Sequence, residues 1–117
     1  MNSDAHCLFC RIAKKEIPSK IVFEDDLILA FEDIKPKAPV HILIIPKKHI
    51  GRISELKQED SPLAGKVVMA AKQIASKKGL DGGGYRIVFN CDKDAGQEVF
   101  HVHAHIMGGR KFAWPPG

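Results

Sequence analysis

Three histidines alternate with apolar residues in the segment 101–107. Successive side chains of a β-strand point to opposite faces, so His101, His103 and His105 are predicted to share one face. Residues two apart on a strand are separated by about 6.5–7 Å, which makes the three imidazoles a continuous row. Burying such a row without partners is unfavourable, and the pattern therefore indicates chemistry rather than packing alone.

Two kinds of chemistry are open for this row. Imidazole is a good zinc ligand, and a His-x-His pair on a strand is a common half of such a site. Alternatively, one imidazole is a nucleophile, and its neighbours supply an acid, a base or electrostatic support. A hydrolytic zinc site usually needs a carboxylate as general base, and Glu98 is the only acid in the immediate segment. These residues alone support the two interpretations about equally.

A second group of potential ligands lies near the N-terminus. Cys7 and Cys10 form a Cys-x-x-Cys pair, which is a standard half of a tetrahedral zinc site. The alternative is that both cysteines are small buried hydrophobes on a short helix. The chain has three cysteines, an odd number that does not suit a disulfide framework. We therefore expect a reducing, cytoplasmic setting.

Hydrophobic periodicity predicts the elements that must position these residues. The run 40–45 is almost entirely apolar and is expected to be a central strand covered on both faces. The predicted helices cover residues 8–15 and 62–78, and the other predicted strands cover residues 21–23, 27–31, 85–90 and 101–107. This order predicts an α+β domain with an antiparallel sheet of about five strands, one short helix and one long helix.

Length and charge narrow the possible classes of protein. The 117 residues are expected to form one domain over 1–117, with residues 1–6 mobile. The net charge of +4 suits an anionic ligand, but without a basic block of five or more it does not predict specific nucleic-acid binding. The N-terminus lacks a basic region, and the longest purely apolar run, 42–45, cannot span a bilayer. We therefore expect neither a signal peptide nor a membrane segment.

Several stretches together resemble one known family. The segment 96–110, with the sequence GQEVFHVHAHIMGGR, resembles the signature of the histidine triad (HIT) family, in particular its Hint branch of purine nucleoside phosphoramidases. Residues 31–36 resemble that family's nucleoside-binding strand and turn, and residues 41–50 resemble its central strand. The ending WPPG, at 114–117, is typical of Hint proteins.

The resemblance implies a covalent mechanism that needs no catalytic cofactor. His103 is expected to attack the α-phosphorus of a purine nucleoside phosphoramidate, an AMP or GMP conjugate of an amine. His105 is expected to contact the phosphoryl oxygens and the leaving group, with His101 and His41 in support. Two alternatives are a dinucleoside polyphosphate hydrolase and a nucleotide-binding scaffold or sensor with little turnover.

The same resemblance implies binding residues for each part of the substrate. Asp33 matches the carboxylate that binds the ribose hydroxyls, although capping a turn is an alternative role. An apolar slot for the purine is matched by Leu8, Phe9, Ile12, Phe31 and Ile34. A region that contacts the phosphate is matched by Asn90, Gly96, Gln97, Glu98 and Val99. Trp114 matches a residue on the leaving-group side. Many Hint proteins carry serine where this chain has Glu98. An ionised carboxylate cannot donate a hydrogen bond and repels phosphate, so Glu98 is expected to alter the rate or to select cationic leaving groups.

Two further expectations concern a metal and an oligomer. Related proteins imply that His49 and His101 join Cys7 and Cys10 as ligands of one structural zinc ion. The Hint resemblance also implies a homodimer in which the two sheets join. The C-terminal tail, 111–117, is expected to pack at that dimer interface and to reach the partner's active site.

Overall fold

The computed structural model describes residues 4–117, and this part of the chain contains five strands and two α-helices. The strands are β1 (Ile21–Glu24), β2 (Ile28–Glu32), β3 (Val40–Pro46), β4 (Tyr85–Phe89) and β5 (Ala104–Gly108), and the helices are α1 (Leu8–Ala13) and α2 (Ser61–Lys77). The strands form one sheet in the order β1-β2-β3-β5-β4, and every neighbouring pair is antiparallel. The predicted α+β class and the five-stranded antiparallel sheet are confirmed.

The central strand β3 separates two hydrophobic cores. Ile42 and Ile44 point towards α2 and pack with Ala104 and Ile106 of β5. Leu43 and Ile45 point the other way and pack with the cluster that lines α1. An all-apolar strand is stable here because both of its faces are covered, as the composition predicts.

The long helix begins and ends close to the predicted residues. It starts at Ser61, one residue before the predicted start, and Pro62 lies in its first turn, where a missing N–H is tolerated. Val67, Ala71 and Ile74 are buried at helical spacing against the sheet. Gly79 has φ +76°, a left-handed conformation that ends the helix.

The prediction of a strand over 101–107 is wrong for its first three residues. His101 and His103 precede β5, because the backbone there bonds to loops instead of to β3 or β4. The amide of His101 donates to the Val99 carbonyl at 3.0 Å, and the amide of Val102 donates to the Ile50 carbonyl at 2.7 Å. The alternation itself is confirmed: Val102 lines an apolar cavity beside α2, whereas the rings of His101 and His103 contact Phe9 of α1.

Other boundaries differ from the prediction by one or two residues. The helix α1 ends at Ala13 and not at residue 15, where Lys15 takes a left-handed φ of +66°. The strand β2 runs one residue later than predicted at both ends, from Ile28 to Glu32, and Pro46 is the last residue of β3. Asn90 was predicted to end β4, and it follows that strand directly.

Gly109, directly after β5, permits a close approach to the loop that precedes β3. Gly109 has φ +92°, and a Cβ there would lie 2.9 Å from Cβ of Pro39. The last pair of the β3–β5 ladder joins Val40 to Gly108, so this contact lies just beyond the sheet. The end of β5 is thereby pressed against the loop that precedes β3.

The described chain begins with a turn that bonds to α1. The expectation of mobility over 1–6 falls partly outside the described residues, which begin at residue 4. The amide of Asp4 donates to Sγ of Cys10 at 3.3 Å, and the amide of Cys7 donates to the Asp4 carbonyl at 3.1 Å. No helix within 4–117 has the length and apolarity needed to cross a membrane.

Candidate functional site

His103 is a buried, neutral imidazole with one nitrogen engaged. Its Nδ1–H donates to the backbone carbonyl of His101 at 2.7 Å, and this bond assigns the proton to Nδ1. Burial lowers the pKa of His103, so the ring is neutral near pH 7. The edge of the ring packs against Phe9, with the ring centroids 5.0 Å apart. The second nitrogen, Nε2, therefore carries a lone pair and no proton.

His105 and His41 form a hydrogen-bonded pair beside His103. The backbone N–H of Lys37 donates to Nδ1 of His41 at 3.0 Å, which places the His41 proton on Nε2. That Nε2–H donates to Nδ1 of His105 at 2.9 Å, so His105 carries its own proton on Nε2. Burial, followed by the nearby His103 and His41, lowers the pKa of His105 to about 4. His105 is thus a neutral N–H donor whose ring centroid lies 5.0 Å from that of His103.

Asp33 uses its two carboxylate oxygens differently. Oδ1 accepts the backbone N–H of Lys35 at 2.8 Å, which is the turn-capping role. Oδ2 lies 3.4 Å from Nε2 of His41 and faces the histidine pair. The turn cap therefore engages one oxygen and leaves the other beside the histidines.

The residues predicted for a purine slot divide into a buried group and an exposed group. Phe9, Ile12 and Phe31 are buried together in the α1 cluster. Leu8 is 45% exposed and Ile34 is 91% exposed, so neither belongs to this core. Leu43 of β3 also packs in the α1 cluster. Its place there has no sequence signal, because a nearly all-apolar run does not reveal which residues face α1.

The predicted phosphate region is a loop held by one buried amide. Gln97 donates from Nε2 to the carbonyls of Gly51 at 2.9 Å and Val99 at 3.0 Å. Its Oε1 accepts the backbone N–H of Asp92 at 2.8 Å. The side chain of Gln97 is therefore occupied inside the protein and ties three loop segments together. This bracing role has no sequence signal, because all three partners are backbone groups and one of them, the Gly51 carbonyl, is 46 residues away.

The other predicted residues of this region lie at its margins. Asn90 is half-buried and directly follows β4, on the sheet edge next to β5. Gly96 has φ +81°, and Glu98 is exposed. Trp114 is 82% exposed on the C-terminal tail, where Arg86 of β4 donates to the neighbouring Ala113 carbonyl.

The four predicted metal ligands meet at one point. Nδ1 of His101 lies 3.3 Å from Sγ of Cys7 and 3.2 Å from Nδ1 of His49, and Sγ of Cys10 lies 3.3 Å from Nδ1 of His49. Zn–S and Zn–N bonds in tetrahedral geometry imply separations of about 3.3–3.6 Å between ligand atoms. Nε2–H of His101 donates to the Pro46 carbonyl at 2.7 Å, which leaves Nδ1 free of a proton. These four residues could hold a metal ion.

A second group of potential ligands has a different hydrogen-bond pattern. Atoms of Asp33, His41 and His105 also lie within 4.8 Å of one another. However, Nδ1 of His41 accepts the Lys37 amide, and the ring must then keep its proton on Nε2, the atom that would face a metal. This group is therefore a hydrogen-bond relay, whereas the cysteine group presents lone pairs.

The domain is a five-stranded antiparallel sheet in which His105 lies in the inner strand β5, and His101 and His103 directly precede that strand. This arrangement defines the histidine triad class of domain. The HIT domain model matches residues 14–112. The chain belongs to the HIT family.

Individual relatives agree with this assignment. An uncharacterized HIT-like protein of Synechocystis sp. is 49% identical over 94% of this chain and 96% of its own length. The crystal structure of a HIT family hydrolase from Legionella pneumophila Philadelphia 1 is 54% identical, with a TM-score of 0.94, and covers 96% of this chain and 100% of that one. A histidine triad nucleotide-binding protein from Candida albicans is 31% identical, with a TM-score of 0.80, over 93% of this chain and 82% of that one.

Proposed function

We propose that this protein hydrolyses the P–N bond of purine nucleoside phosphoramidates through a nucleotide bound covalently to His103. The observation that carries the proposal is the proton placement on two adjacent rings. His103 has a free lone pair on Nε2, and His105 has a free N–H on Nε2, next to each other. A nucleophile and a donor for phosphoryl oxygens are thus held ready in neutral form.

The reaction proceeds in two displacements. Nε2 of His103 attacks the α-phosphorus, a new N–P bond forms, and the bond from phosphorus to the leaving amine breaks. The electron pair stays on the amine nitrogen, which takes a proton from solvent water, while the Nε2–H of His105 donates a hydrogen bond to a phosphoryl oxygen. The His103 ring becomes positive in the adduct, and the His101 carbonyl stabilises it through Nδ1–H. Water then attacks phosphorus, the N–P bond to His103 breaks, and nucleoside monophosphate is released while the attacking water gives up one proton to solvent.

Nucleoside recognition is assigned to the residues around this pair. Oδ2 of Asp33, the oxygen that does not cap the turn, is suited to accept the ribose hydroxyls, because ionised carboxylates only accept hydrogen bonds. The α1 cluster, together with the exposed residues Leu8 and Ile34, would contact the purine. The loop 96–99 and Asn90 would contact the phosphate, and Glu98 would favour a cationic amine.

A substrate comparison tests the proposed activity. Incubation with a fluorogenic adenosine phosphoramidate should release the amine and AMP in equal amounts. A dinucleoside polyphosphate should turn over more slowly, since its leaving group is a phosphate anion that the exposed Glu98 repels. Faster cleavage of the dinucleoside would favour the polyphosphate hydrolase, and AMP binding without turnover of either substrate would favour the scaffold function.

The bracing amide of Gln97 leads to a prediction about phosphate binding. Gln97→Ala removes the partners of two carbonyls and one amide, and we expect the loop 96–99 to loosen. AMP affinity, measured by isothermal titration calorimetry, should fall by about 10-fold, the effect of misplacing binding groups by a fraction of an ångström. Asp94→Asn changes the same surface region at an exposed residue and should leave the affinity unchanged. Equal affinities of the Gln97→Ala variant and the native protein would contradict the prediction.

The cysteine–histidine group is proposed to bind zinc with a structural role. Four protein ligands close a tetrahedral site and leave no position for water or substrate. The ion would connect Cys7 and Cys10 of the α1 region to His49 after β3 and to His101 before β5. We retain the reducing, cytoplasmic setting as part of this proposal, because all three cysteines are unpaired thiols in the described chain.

A homodimer that joins two sheets is proposed from the exposed edge of β4. The strand β4 has one neighbour, β5, and its outer edge can pair with a second copy. Ile87 of β4 and Val68 and Met69 of α2 are exposed, 37%, 46% and 52% respectively, and would be covered in such a dimer. The tail beyond Lys111 would then approach the partner's site.

Truncation after Lys111 tests the shared site. We expect the native chain to be a dimer by light scattering. The truncated chain should change its preference among amine leaving groups by about 10-fold while purine affinity changes little, because Trp114 shapes only the leaving-group side. The measurement is kcat/KM for a series of adenosine phosphoramidates with different amines. A monomeric native protein or an unchanged series would count against the shared site.

A further inference from the structure

Arg110 holds the backbone of the loop that precedes the central strand. Its Nε and Nη2 both donate to the carbonyl of Lys37, at 3.2 Å and 3.0 Å. The N–H of the same residue, Lys37, donates to Nδ1 of His41. Lys37 is thus held at both of its backbone polar groups, by Arg110 on one side and by His41 on the other.

Arg110 acts at the point where strand pairing stops. The ladder between β3 and β5 ends at the pair Val40 and Gly108, so Lys37 receives no sheet hydrogen bond from β5. The close contact of Gly109 with Pro39 brings the end of β5 to this loop. The guanidinium of Arg110 then connects the end of β5 to the Lys37 carbonyl, where the sheet makes no hydrogen bond. A fork with two parallel donors fixes direction as well as distance, which a lysine cannot do.

The proton pattern of the relay depends on this link. While the Lys37 N–H donates to Nδ1 of His41, the protons lie on Nε2 of His41 and on Nε2 of His105. If Lys37 moves away, His41 can carry its proton on Nδ1. Its Nε2 would then accept a hydrogen bond from Nδ1–H of His105, and Nε2 of His105 would lose its proton. The N–H that faces the phosphate would disappear.

We infer that Arg110 is a positioning residue that keeps His105 in the Nε2–H tautomer, acting through the backbone of Lys37 and the ring of His41. Arg110 contacts neither His105 nor His103 in this role. The kinetic part of the inference rests on the proposed phosphoramidase function, whereas the tautomer part does not.

Nuclear magnetic resonance of the histidine rings tests the inference directly. In full-length protein with ¹⁵N-labelled histidine, Nε2 of His105 should have the shift of a protonated nitrogen, and Nδ1 that of an unprotonated one. Arg110→Ala should move both shifts towards the average of the two tautomers. Arg110→Lys should give intermediate ring shifts, because a single ammonium nitrogen replaces the two guanidinium nitrogens that bond to the Lys37 carbonyl. Ring shifts in Arg110→Ala that equal those of the native protein would overturn the inference.

A matched control separates the Lys37 link from the C-terminal tail. The guanidinium of Arg110 also lies 4.2 Å from the ring centroid of Phe112, and that of Arg86 lies 5.2 Å from it. Arg86 holds the tail but does not contact Lys37, so Arg86→Ala should leave the ring shifts of His105 unchanged. If Arg86→Ala reproduces the shifts of Arg110→Ala, the tail and not Lys37 is responsible, and the inference fails.

Kinetics with an adenosine phosphoramidate provides the second measurement. Arg110→Ala should lower kcat by about 10-fold and change KM by less than about two-fold, since a misplaced donor affects the transition state more than binding. Arg110 is exposed, and thermal unfolding should show the variants folded. A native protein without phosphoramidase activity would overturn the proposed function, and the ring shifts would still decide the role of Arg110. An unchanged kcat in an active enzyme would contradict the inference.

Discussion

His103→Ala is expected to lower phosphoramidate turnover by at least about 1,000-fold, because it removes the atom that bonds to phosphorus. Within residues 4–117, neither neighbouring imidazole can replace it. Nδ1 of His105 is engaged with His41, and its Nε2 carries a proton. His101 donates from Nε2 to the Pro46 carbonyl and faces the cysteines with Nδ1. The free lone pair on Nε2 of His103 is therefore the nucleophile that we propose.

Trapping of the intermediate makes this prediction specific. Acid quenching of the native enzyme during turnover should give a chain that is heavier by one nucleotidyl group in mass spectrometry, and His103→Ala should give none. His6→Ala, which changes a histidine outside both clusters, should behave as the native protein does. His103→Ala loses one buried hydrogen bond, which contributes about 1 kcal/mol, and the ring contact with Phe9, and thermal unfolding should show that the variant stays folded. Native-like turnover in His103→Ala would rule out the covalent mechanism.

Loss of one thiolate of the cysteine–histidine group is expected to destabilise the whole domain. Cys10→Ser removes one of the four proposed zinc ligands, which lie in α1, just before α1, after β3 and before β5. Structural zinc contributes a large part of the folding free energy of small domains. We expect the free energy of unfolding to fall by about 3 kcal/mol or more and the melting temperature by about 10 °C.

Two measurements distinguish zinc binding from burial of the cysteines as small hydrophobes: the metal content of the protein and the effect of replacing Cys91. Purified native protein should contain close to one zinc ion per chain, and Cys10→Ser should contain much less. Cys91 lies outside the group, so Cys91→Ser should keep both the metal and the melting temperature. Chelation of zinc from the native protein should lower its melting temperature as Cys10→Ser does. A metal-free native preparation of unchanged stability would exclude the structural zinc.

Local patterns were sufficient to predict most of the fold. The all-apolar run of β3, the helical spacing from Val67 to Ile74 and the alternation of the histidines with apolar residues each depend on neighbours in sequence. The alternation also holds for residues 101–103, which lie outside β5, because extended backbone without strand pairing still points successive side chains in opposite directions. The start of β5 could not be predicted, since it depends on whether Val102 bonds to Ile50 or to a strand.

The sequence by itself determined which residues are available for chemistry, and the tertiary structure decided what each of them is prepared to do. His41 and His105 are 64 residues apart, and Cys7 and His101 are 94 apart, yet each pair lies within 3.3 Å. Whether an imidazole nitrogen is a nucleophile, a donor or a ligand depends on the group bonded to the other nitrogen of the ring. Those groups are the backbone carbonyls of His101 and Pro46 and the backbone N–H of Lys37, and every residue type has them. A backbone group carries no sequence signal, so only its position in the folded chain assigns the protons.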